Sequence, residues 1–429
     1  MPTDMQTRPR PEKQLATTAE ARAFSKQWFG EIRERVIERG EPYVLASAET
    51  PHEIFDVLGL PVVTTEWWGG VLSSRRVAGD YLDLLAQEGF HEGLGVYNSL
   101  GAASLLVDHP EPPWGGLPRP AMMVAPHREQ GNNRAYELVA ERLGVPYFCV
   151  EVPSSTRFSP CWFRDGATRW EEVYETHRIN LMTRQYREMI ALAEEVSGRR
   201  FSEAALRDLL ERVNDQEACF AEVREMVAEA PRLPVRLSEQ MSNTMTAQWH
   251  RGSDWAVAHA RAFRDEVAGR VARGDCATAD ERRRLMWVGV GLWQNTDFYA
   301  AFEQSHGAVF VWSMYMAIAA DGYIRRGLQD PVRAIASRYL NIGEQMHVAP
   351  WAGEWVVQEA RRHRVDGAVM LVSSNQRHQV AGNEYQKLSL EAAGIPVCEL
   401  RVDPSDNRAW DDVAMQRTVA EFIENRLGG

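Results

Sequence analysis

The sequence has no long hydrophobic run, and its first residues do not resemble a secretory leader, so neither a membrane nor a secreted location is expected. No apolar stretch approaches the ~20 residues that a membrane-spanning helix needs. The first residues, Met1–Gln14, are polar and contain proline, without the apolar centre of a signal peptide. We interpret them as a disordered lead-in, and we expect a cytoplasmic protein with no membrane partner.

Positive side chains are outnumbered by negative ones, 48 against 60, and the cysteines form no CxxC pair. The net charge is −12, and the short arginine groups Arg199–Arg200 and Arg282–Arg284 are flanked by acids, so no nucleic-acid partner is expected. Five cysteines occur at wide spacing without a CxxC pair, which argues against a disulfide framework or a zinc finger. Cys149 and Cys398 stand at matching places in two strand-like runs, where we expect small buried hydrophobes.

The most informative feature that is present is a stretch that occurs twice. Each copy has an apolar strand-like run, a polar loop, a helix-like segment and a second strand. The first copy runs from Ala121 to Pro153 and the second from Gly367 to Pro404. Such a crossover lets consecutive strands pair in parallel. Because ligands bind beyond the carboxyl ends of parallel strands, the polar loops after Pro126 and Val372 are the first places to expect chemistry.

Further periodic segments extend this pattern. Apolar residues at helical spacing predict a helix over Ala21–Arg39, and Pro51 opens a short second helix. Between Asp165 and Ala279, strand-like runs disappear and helical periodicity takes over. Four more strand-like runs lie outside the repeats, at Tyr43–Ala46, Leu60–Thr65, Arg284–Leu292 and Gly307–Trp312.

The elements predict an α/β protein with two small parallel sheets of about four strands each. The sheets are expected to face each other across a cleft, with a helical segment between the two domains. Clefts at domain junctions are favoured ligand sites. The expected division is a lead-in over 1–20, a first α/β domain over 21–160, a helical segment over 161–282 and a second α/β domain over 283–429.

Tryptophan is abundant, with 14 residues. Packing in the core and between domains is the simpler explanation, and a pocket for a flat or acyl ligand is the alternative. Those near predicted strand ends or loops are Trp67, Trp68, Trp162, Trp170, Trp312, Trp351 and Trp355.

Several segments together resemble the 2-hydroxyacyl-CoA dehydratase D-component family, which also contains benzoyl-CoA reductase subunits. They are Pro51–Val63, Leu94–Gly101, the helical middle, and the two repeats with their Gly-Val-Pro and Gly-Ile-Pro entries. The resemblance covers Ala21 to Leu427 and rests on order and pattern rather than on one sharp motif. It implies two flavodoxin-like domains in each subunit.

The resemblance also implies chemistry. Members of the family work as pairs of related subunits, and three cysteines in each subunit hold a [4Fe-4S] cluster between the domains. One cluster receives an electron from an ATP-driven activator and passes it to a CoA thioester, which then loses water or undergoes ring reduction. A homologous subunit, as heterodimer or homodimer, and a small acyl or acyl-CoA ligand are therefore the expected partners.

This chain departs from the family at all three positions of the cluster ligands. The turn that follows the first ligand reads Gly93–Tyr97, the strand before the second runs into His127, and the third lies in the loop Ser373–Gln379. None of these segments contains cysteine, and a thiolate cage needs its cysteines. We therefore expect no [4Fe-4S] cluster from this chain's own residues. No other cofactor is predicted, and a mononuclear metal stays open as the alternative.

His127 and His378 occupy the two corresponding polar loops and are expected to face each other across the cleft. With Glu66 they are the candidate catalytic acid and base groups near neutral pH. Together with an oxygen of Glu129 or Glu66, the two histidines would also suit iron or zinc, although their spacing gives only a weak metal signal. Histidines that simply hydrogen-bond in a cleft are the third explanation.

Polar side chains near the strand ends are the candidate substrate-binding residues. Helices that begin near Asn132 and Asn383 would aim backbone N–H groups at the same place and favour an anion, although capping of the helices explains these two residues equally well. The predicted substrate-binding set is Tyr97, Asn98, Ser99, Arg128, Glu129, Ser373, Ser374, Asn375 and Gln376.

These residues predict an enzyme of lyase type, or a subunit of one, built on the acyl-CoA dehydratase scaffold. It would act on an acyl or aromatic carboxylic substrate in the inter-domain cleft without its own cluster. Two alternatives stay open. One is a non-catalytic subunit that shapes the pocket of a homologous cluster-bearing chain. The other is a mononuclear metal enzyme that uses His127 and His378.

Overall fold

A computed structural model describes most of the chain. The predicted lead-in Met1–Gln14 lies outside the described residues, and the side chains of residues 98, 130–132 and 343–347 are not described. The described stretches are residues 15–91, 97–127, 130–155, 161–316, 324–347, 351–373 and 382–428.

Eight strands form two four-stranded sheets in which every pairing is parallel. This confirms the predicted α/β class with two small flavodoxin-like sheets. The strands are β1 (Val44–Ala46), β2 (Val62–Thr64), β3 (Met122–His127), β4 (Tyr147–Glu151), β5 (Arg283–Val288), β6 (Ala308–Ser313), β7 (Gly367–Val372) and β8 (Val397–Arg401). The strand order is β2-β1-β3-β4 in the first sheet and β6-β5-β7-β8 in the second.

Seventeen α-helices lie in the described residues. Those of the first domain are α1 (Ala16–Arg39), α2 (His52–Val57), α3 (Thr65–Ser74), α4 (Ala78–Gln87), α5 (Tyr97–Ala103) and α6 (Gln130–Leu143). Those between the sheets are α7 (Trp162–Asp165), α8 (Trp170–Val173), α9 (Thr176–Ser197), α10 (Glu203–Glu229), α11 (Leu237–Gln248) and α12 (Asp254–Arg273). The remainder are α13 (Glu303–His306), α14 (Pro331–His347), α15 (Trp351–Arg362), α16 (Asn383–Ala392) and α17 (Asp412–Arg426).

Helix α1 begins at Ala16, inside the range 1–20 that the sequence assigned to a lead-in. Its first N–H groups have no partner within the helix, and carboxylates from the helical segment accept their hydrogen bonds. The N–H of Leu15 donates to Glu239 at 2.9 Å, and that of Ala16 donates to Glu266 at 2.8 Å. These tertiary contacts, which no local pattern reveals, explain why the helix begins so early.

The repeated stretches form β3-α6-β4 and β7-α16-β8, and both have the same register. In each, a backbone N–H of the earlier strand donates a 2.9 Å hydrogen bond to the carbonyl oxygen of the proline that precedes the later strand. That proline is Pro146 in the first repeat and Pro396 in the second. Proline has no N–H to donate and suits the start of a strand. Counted from these prolines, Cys149 is the third residue of its run and Cys398 the second. The two side chains therefore point to opposite faces.

The prediction for the two cysteines is thus right for one and wrong for the other. Cys398 is buried, as expected of a small hydrophobe, whereas Cys149 is only half-buried. The positions do not match because alternate residues of a strand face opposite sides, so an offset of one residue changes the environment completely.

The first sheet separates two hydrophobic clusters. Val44 and Ala46 of β1 belong to a cluster that continues through the helical segment into the second sheet. Leu45, on the opposite face, belongs to a smaller cluster with α3, α4 and α6. Tryptophans contribute heavily to this packing, which supports the simpler explanation of their abundance. Trp68, Trp162, Trp312, Trp351 and Trp355 are fully buried.

A buried charge cluster joins the first domain, the helical segment and the second domain. Glu53 in α2 accepts hydrogen bonds from Arg251 at 2.9 Å and from Arg338 in α14 at 2.8 Å. The hydroxyl of Tyr339 donates to the same carboxylate at 3.1 Å. Burial alone would raise the pKa of Glu53, but the two guanidinium groups lower it to about 2. The carboxylate is therefore charged at any ordinary pH, and it fixes three parts of the chain together.

No helix among the described residues is long and apolar enough to cross a membrane.

Candidate functional site

Glu66 lies at the carboxyl end of β2, in the first turn of α3. Thr64 caps this helix by accepting a hydrogen bond from the N–H of Trp67, which starts α3 directly after the strand. The Glu66 carboxylate accepts hydrogen bonds from the Ser47 hydroxyl at 2.7 Å, the Ala48 N–H at 2.7 Å and the Thr65 hydroxyl at 3.0 Å. Ser47 and Ala48 directly follow β1, so this carboxylate links the ends of two adjacent strands.

The surroundings of Glu66 bring the pKa of its carboxyl close to neutral pH. The residue is only 6% exposed. Burial raises the pKa of Glu66 to about 7, although the Ala48 N–H and the Ser47 hydroxyl act in the opposite direction. All three hydrogen-bond donors are neutral groups. A buried carboxyl that gains or loses a proton near pH 7 is suited to general acid or base catalysis.

Tyr97, the first residue of α5, connects the two domains at the same edge. Its hydroxyl is 2.7 Å from that of Tyr315, and it accepts a hydrogen bond from the indole N–H of Trp293 at 3.2 Å. Tyr315 is the second residue after β6, just as Glu66 is the second residue after β2. Burial raises the pKa of Tyr97 well above its ordinary value, so the hydroxyl stays neutral. The carboxyl ends of both sheets therefore meet at this tyrosine pair.

Close packing of α3 against α5 fixes Glu66 relative to Tyr97. A Cβ atom on Gly101 of α5 would lie 2.2 Å from the carbonyl oxygen of Thr65, so only glycine fits there. The Thr65 hydroxyl also forms a hydrogen bond with Tyr136 of α6. Ser99, a predicted substrate-binding residue, is fully buried in this contact region. The backbone around the carboxylate is therefore held from three helices.

His127 is the last residue of β3, and its register partner on β4 is Glu151. Its Nδ1 atom lies 2.7 Å from a Glu151 oxygen. The two side chains are 43% and 62% exposed. Glu66, which the sequence offered as a nearby oxygen ligand, is not part of this pair, and its carboxylate accepts hydrogen bonds from Ser47, Ala48 and Thr65 instead. The pairing of parallel strands, rather than nearness in sequence, selects Glu151.

Cys149 lies beside this pair on β4, two residues before Glu151 and on the same face of the strand. The donor atoms of His127, Cys149 and Glu151 all lie within 4.8 Å of one another. The side-chain amide of Asn133 in α6 donates to the Cys149 sulfur at 3.5 Å. These three side chains form the one metal-ligand group that is found among the described residues.

The carboxyl edge of the second sheet has a different character. Ser373 directly follows β7, is buried, and hydrogen-bonds to Asp403 beyond β8. Burial raises the pKa of Asp403, while the N–H groups of Asp406 and Ser405 donate to it at 3.0 and 2.8 Å. Asn383 does not cap α16, whose N-cap is Gly382. Its amide instead donates to the carbonyl of Leu371 at 3.3 Å.

Part of the predicted site lies outside the described residues. His378 is among these, so a face-to-face arrangement of His127 and His378 stays a prediction. The others are Arg128, Glu129, Ser374, Asn375 and Gln376, together with the side chains of Asn98 and Asn132.

The structure adds functional candidates that sequence reasoning missed. Tyr315 and Trp293 escaped notice because their contact with Tyr97 joins residues about 200 positions apart. Glu151 and the half-buried Cys149 were within reach, since counting residues from Pro146 and from the end of β3 gives the register of the two strands. No comparable signal points to Ser47, which simply follows a three-residue strand.

Fold and site together define a class: an α/β protein with two parallel sheets whose carboxyl ends meet, with a buried carboxyl group whose pKa is raised to about 7 at the end of one strand. The model of the family described as 2-hydroxyglutaryl-CoA dehydratase, D-component, matches residues 48–425. The chain belongs to that family, which confirms the resemblance seen in the sequence. No curated protein sequence matches the chain. Membership indicates a component of a dehydratase system that has more than one subunit.

The cysteines of this chain do not fit the family's cluster. All five are among the described residues, and no three of them come together as a ligand group. They lie on β4, at the N-cap of α7, in α10, in the loop after α12 and on β8. A [4Fe-4S] cage needs several thiolates around one point, and this chain does not place them so.

Proposed function

We propose that the chain is a subunit of a 2-hydroxyacyl-CoA dehydratase-like enzyme and binds an acyl or aromatic carboxylic substrate where the carboxyl ends of its two sheets meet. The observation that carries the proposal is the Glu66 carboxyl, which is buried, held by neutral donors, and has a pKa raised to about 7. Sites of this kind at strand ends are where open parallel sheets bind ligands.

In this proposal Glu66 transfers the proton and the tyrosine pair positions the substrate. Loss of water from a hydroxyacyl substrate removes a proton from carbon and delivers one to the departing hydroxyl. Glu66 can serve either step, because both of its protonation states are populated near pH 7. The hydroxyls of Tyr97 and Tyr315 are suited to a carbonyl or carboxylate oxygen. His127, whose Nδ1 lies beside Glu151, is the second candidate for proton transfer, through its other ring nitrogen, Nε2.

The proposal includes a homologous partner subunit and no iron–sulfur cluster held by this chain alone. Its support is the family, which is a component of a multi-subunit system, together with the scattered cysteines. The same scatter favours one alternative. The chain would then be a non-catalytic subunit that completes the pocket of a cluster-bearing homologue.

The test is turnover of 2-hydroxyglutaryl-CoA, followed as formation of the unsaturated thioester. The chain is assayed alone and together with a cysteine-bearing homologue, its activator and ATP. We expect Glu66→Gln to lower turnover by about 100-fold or more, as removal of a general acid or base does. Glu88→Gln, an exposed change in the same domain, is the control. Full activity of the Glu66→Gln complex would assign the chain to the non-catalytic role.

A further inference from the structure

His127, Cys149 and Glu151 offer three different kinds of ligand atom at one end of the first sheet. One imidazole nitrogen, one thiol sulfur and one carboxylate oxygen lie within 4.8 Å of one another. Zinc is bound by these three atom types, at about 2.0–2.1 Å for nitrogen and 2.3 Å for sulfur. Tetrahedral donors at such distances lie roughly 3.3–3.8 Å apart, so small side-chain rotations bring all three onto one ion.

Paired backbone rather than flexible loops places the three ligands. His127 and Glu151 are register partners, and Cys149 pairs with Ala125 one step earlier on the same face. Gln185 of α9 fixes the Glu151 backbone, because its amide accepts from the Glu151 N–H at 2.7 Å and donates to the Glu151 carbonyl at 2.8 Å. The histidine and the glutamate are exposed, so a fourth ligand, water or substrate, has access from solvent.

Asn133 provides an independent sign that the site takes a ligand. Its side chain is only 6% exposed and its amide nitrogen reaches the Cys149 sulfur, yet its carbonyl oxygen has no hydrogen-bond partner among the residues that the structure describes. A buried amide oxygen without a partner costs free energy. A water molecule bound to a metal at this place would donate to that oxygen, which is the usual arrangement of an outer-shell residue.

We propose that His127, Cys149 and Glu151 bind one zinc ion, with the fourth position open. The thiol proton of Cys149 passes to water when the zinc–sulfur bond forms, and the imidazole binds through Nδ1 as the neutral ring. The site goes beyond the proposed function and does not depend on it. It also gives His127 a role that excludes proton transfer at Nδ1.

The test measures metal directly on the purified full chain. We expect one equivalent of zinc after dialysis, and with Co²⁺ we expect tetrahedral d–d bands plus a thiolate-to-cobalt charge-transfer band. Cys149→Ser abolishes the charge-transfer band and weakens zinc binding about 100-fold, while His127→Ala and Glu151→Gln weaken it by at least tenfold. Asn133→Ala weakens it about 10–100-fold, as loss of outer-shell partners does.

The matched control is Cys276→Ser, since Cys276 is also free and half-buried but lies in the loop after α12. It should leave stoichiometry, affinity and spectrum unchanged. Absence of bound zinc from the wild-type chain, or an unchanged cobalt spectrum in Cys149→Ser, would overturn the proposal. Because Glu66 is not a ligand, Glu66→Gln should keep the metal, so failure of the proposed catalysis and failure of the zinc site are seen in separate measurements.

Discussion

The two sheets have the same strand order and the same repeat register, but their carboxyl ends carry different chemistry. The second residue after β2 is Glu66, whereas the second residue after β6 is Tyr315. The third position of the last strand is Cys149 in the first sheet and Glu399 in the second. Backbone pairing therefore sets where side chains stand, and the residues at those positions decide what each edge can do.

The last strand pair shows the contrast most clearly. In the first sheet His127 pairs with Glu151, and in the second Val372 pairs with Arg401. Glu399 accepts hydrogen bonds from Lys387 at 2.8 Å and from Arg401, so charges of opposite sign saturate one another there. In the first sheet no lysine or arginine among the described residues takes part in the corresponding group, and the possible metal-ligand atoms of His127, Cys149 and Glu151 lie close together. The proposed proton transfer and the proposed metal site therefore both lie on the first sheet.

Two buried glutamates of the first domain sharpen this comparison, because their surroundings differ. Glu53 is surrounded by Arg251 and Arg338, and its pKa is lowered to about 2, while burial among neutral donors raises the pKa of Glu66 to about 7. The negative charge of Glu53 stabilises the fold, whereas that of Glu66 destabilises it. Opposite effects on stability are therefore expected when each is neutralised.

The largest effect is expected from Glu53→Gln. Removing this charge leaves two buried guanidinium groups without their carboxylate, which costs about 3–5 kcal/mol. The pKa of Glu53 is lower in the folded state, so its contribution is complete above about pH 4.5 and is lost as the pH falls towards 2. Urea denaturation at pH 7 and at pH 3 measures both parts, and an equal loss at the two pH values would contradict this assignment.

Glu66→Gln is expected to stabilise the fold while removing activity. The pKa of Glu66 is higher in the folded state, so stability falls as the pH rises from about 4.5 to about 7 and stays low above it. At pH 8 the glutamine variant should be more stable than wild type by about 1–3 kcal/mol. At pH 4 the difference in stability between the variant and wild type should vanish. If the variant were instead less stable than wild type at pH 8, burial of the charged carboxylate would not be what destabilises the fold.

Particular residues show how far sequence reasoning reaches. All eight strands and the two repeats could be predicted, because buried parallel strands are continuous apolar runs separated by helices. The roles of Glu66 and Tyr97 as site residues stay predictions, and the structure places both beyond the carboxyl ends of strands. The partner of His127 could not be chosen by nearness in sequence, since register brings Glu151 to it from 24 positions away.

What sequence reasoning could not supply is contact between distant segments. Tyr315 joins Tyr97 only after both sheets have folded and their edges meet. The early start of α1 at Ala16 depends on Glu239 and Glu266, more than 200 residues away. Patterns of local periodicity contain no information about such pairs.

Substitutions in the tyrosine pair compare how much each side of the contact between the two sheets contributes to stability. Tyr97→Phe removes a hydroxyl that bonds to both Tyr315 and the Trp293 indole, so we expect a loss of about 1–3 kcal/mol. Tyr315→Phe leaves Tyr97 its bond from Trp293, and a loss of about 1 kcal/mol is expected. Chemical denaturation of both variants compares them, and a larger loss in Tyr315→Phe would place the centre of the junction on the second sheet.

The smallest effect is expected from Glu399→Gln, the counterpart in the second sheet of a change at Cys149. Ion pairs near the surface contribute about 0.2–1 kcal/mol, and Arg401 in this group is 71% exposed. Thermal unfolding should therefore detect a loss below about 1 kcal/mol, and less in high salt, because exposed charges are screened. Zinc binding should be unchanged, since Glu399 stands on the other sheet. If this variant lost the metal while Cys149→Ser retained it, the zinc ion would have to be assigned to the second sheet instead of the first.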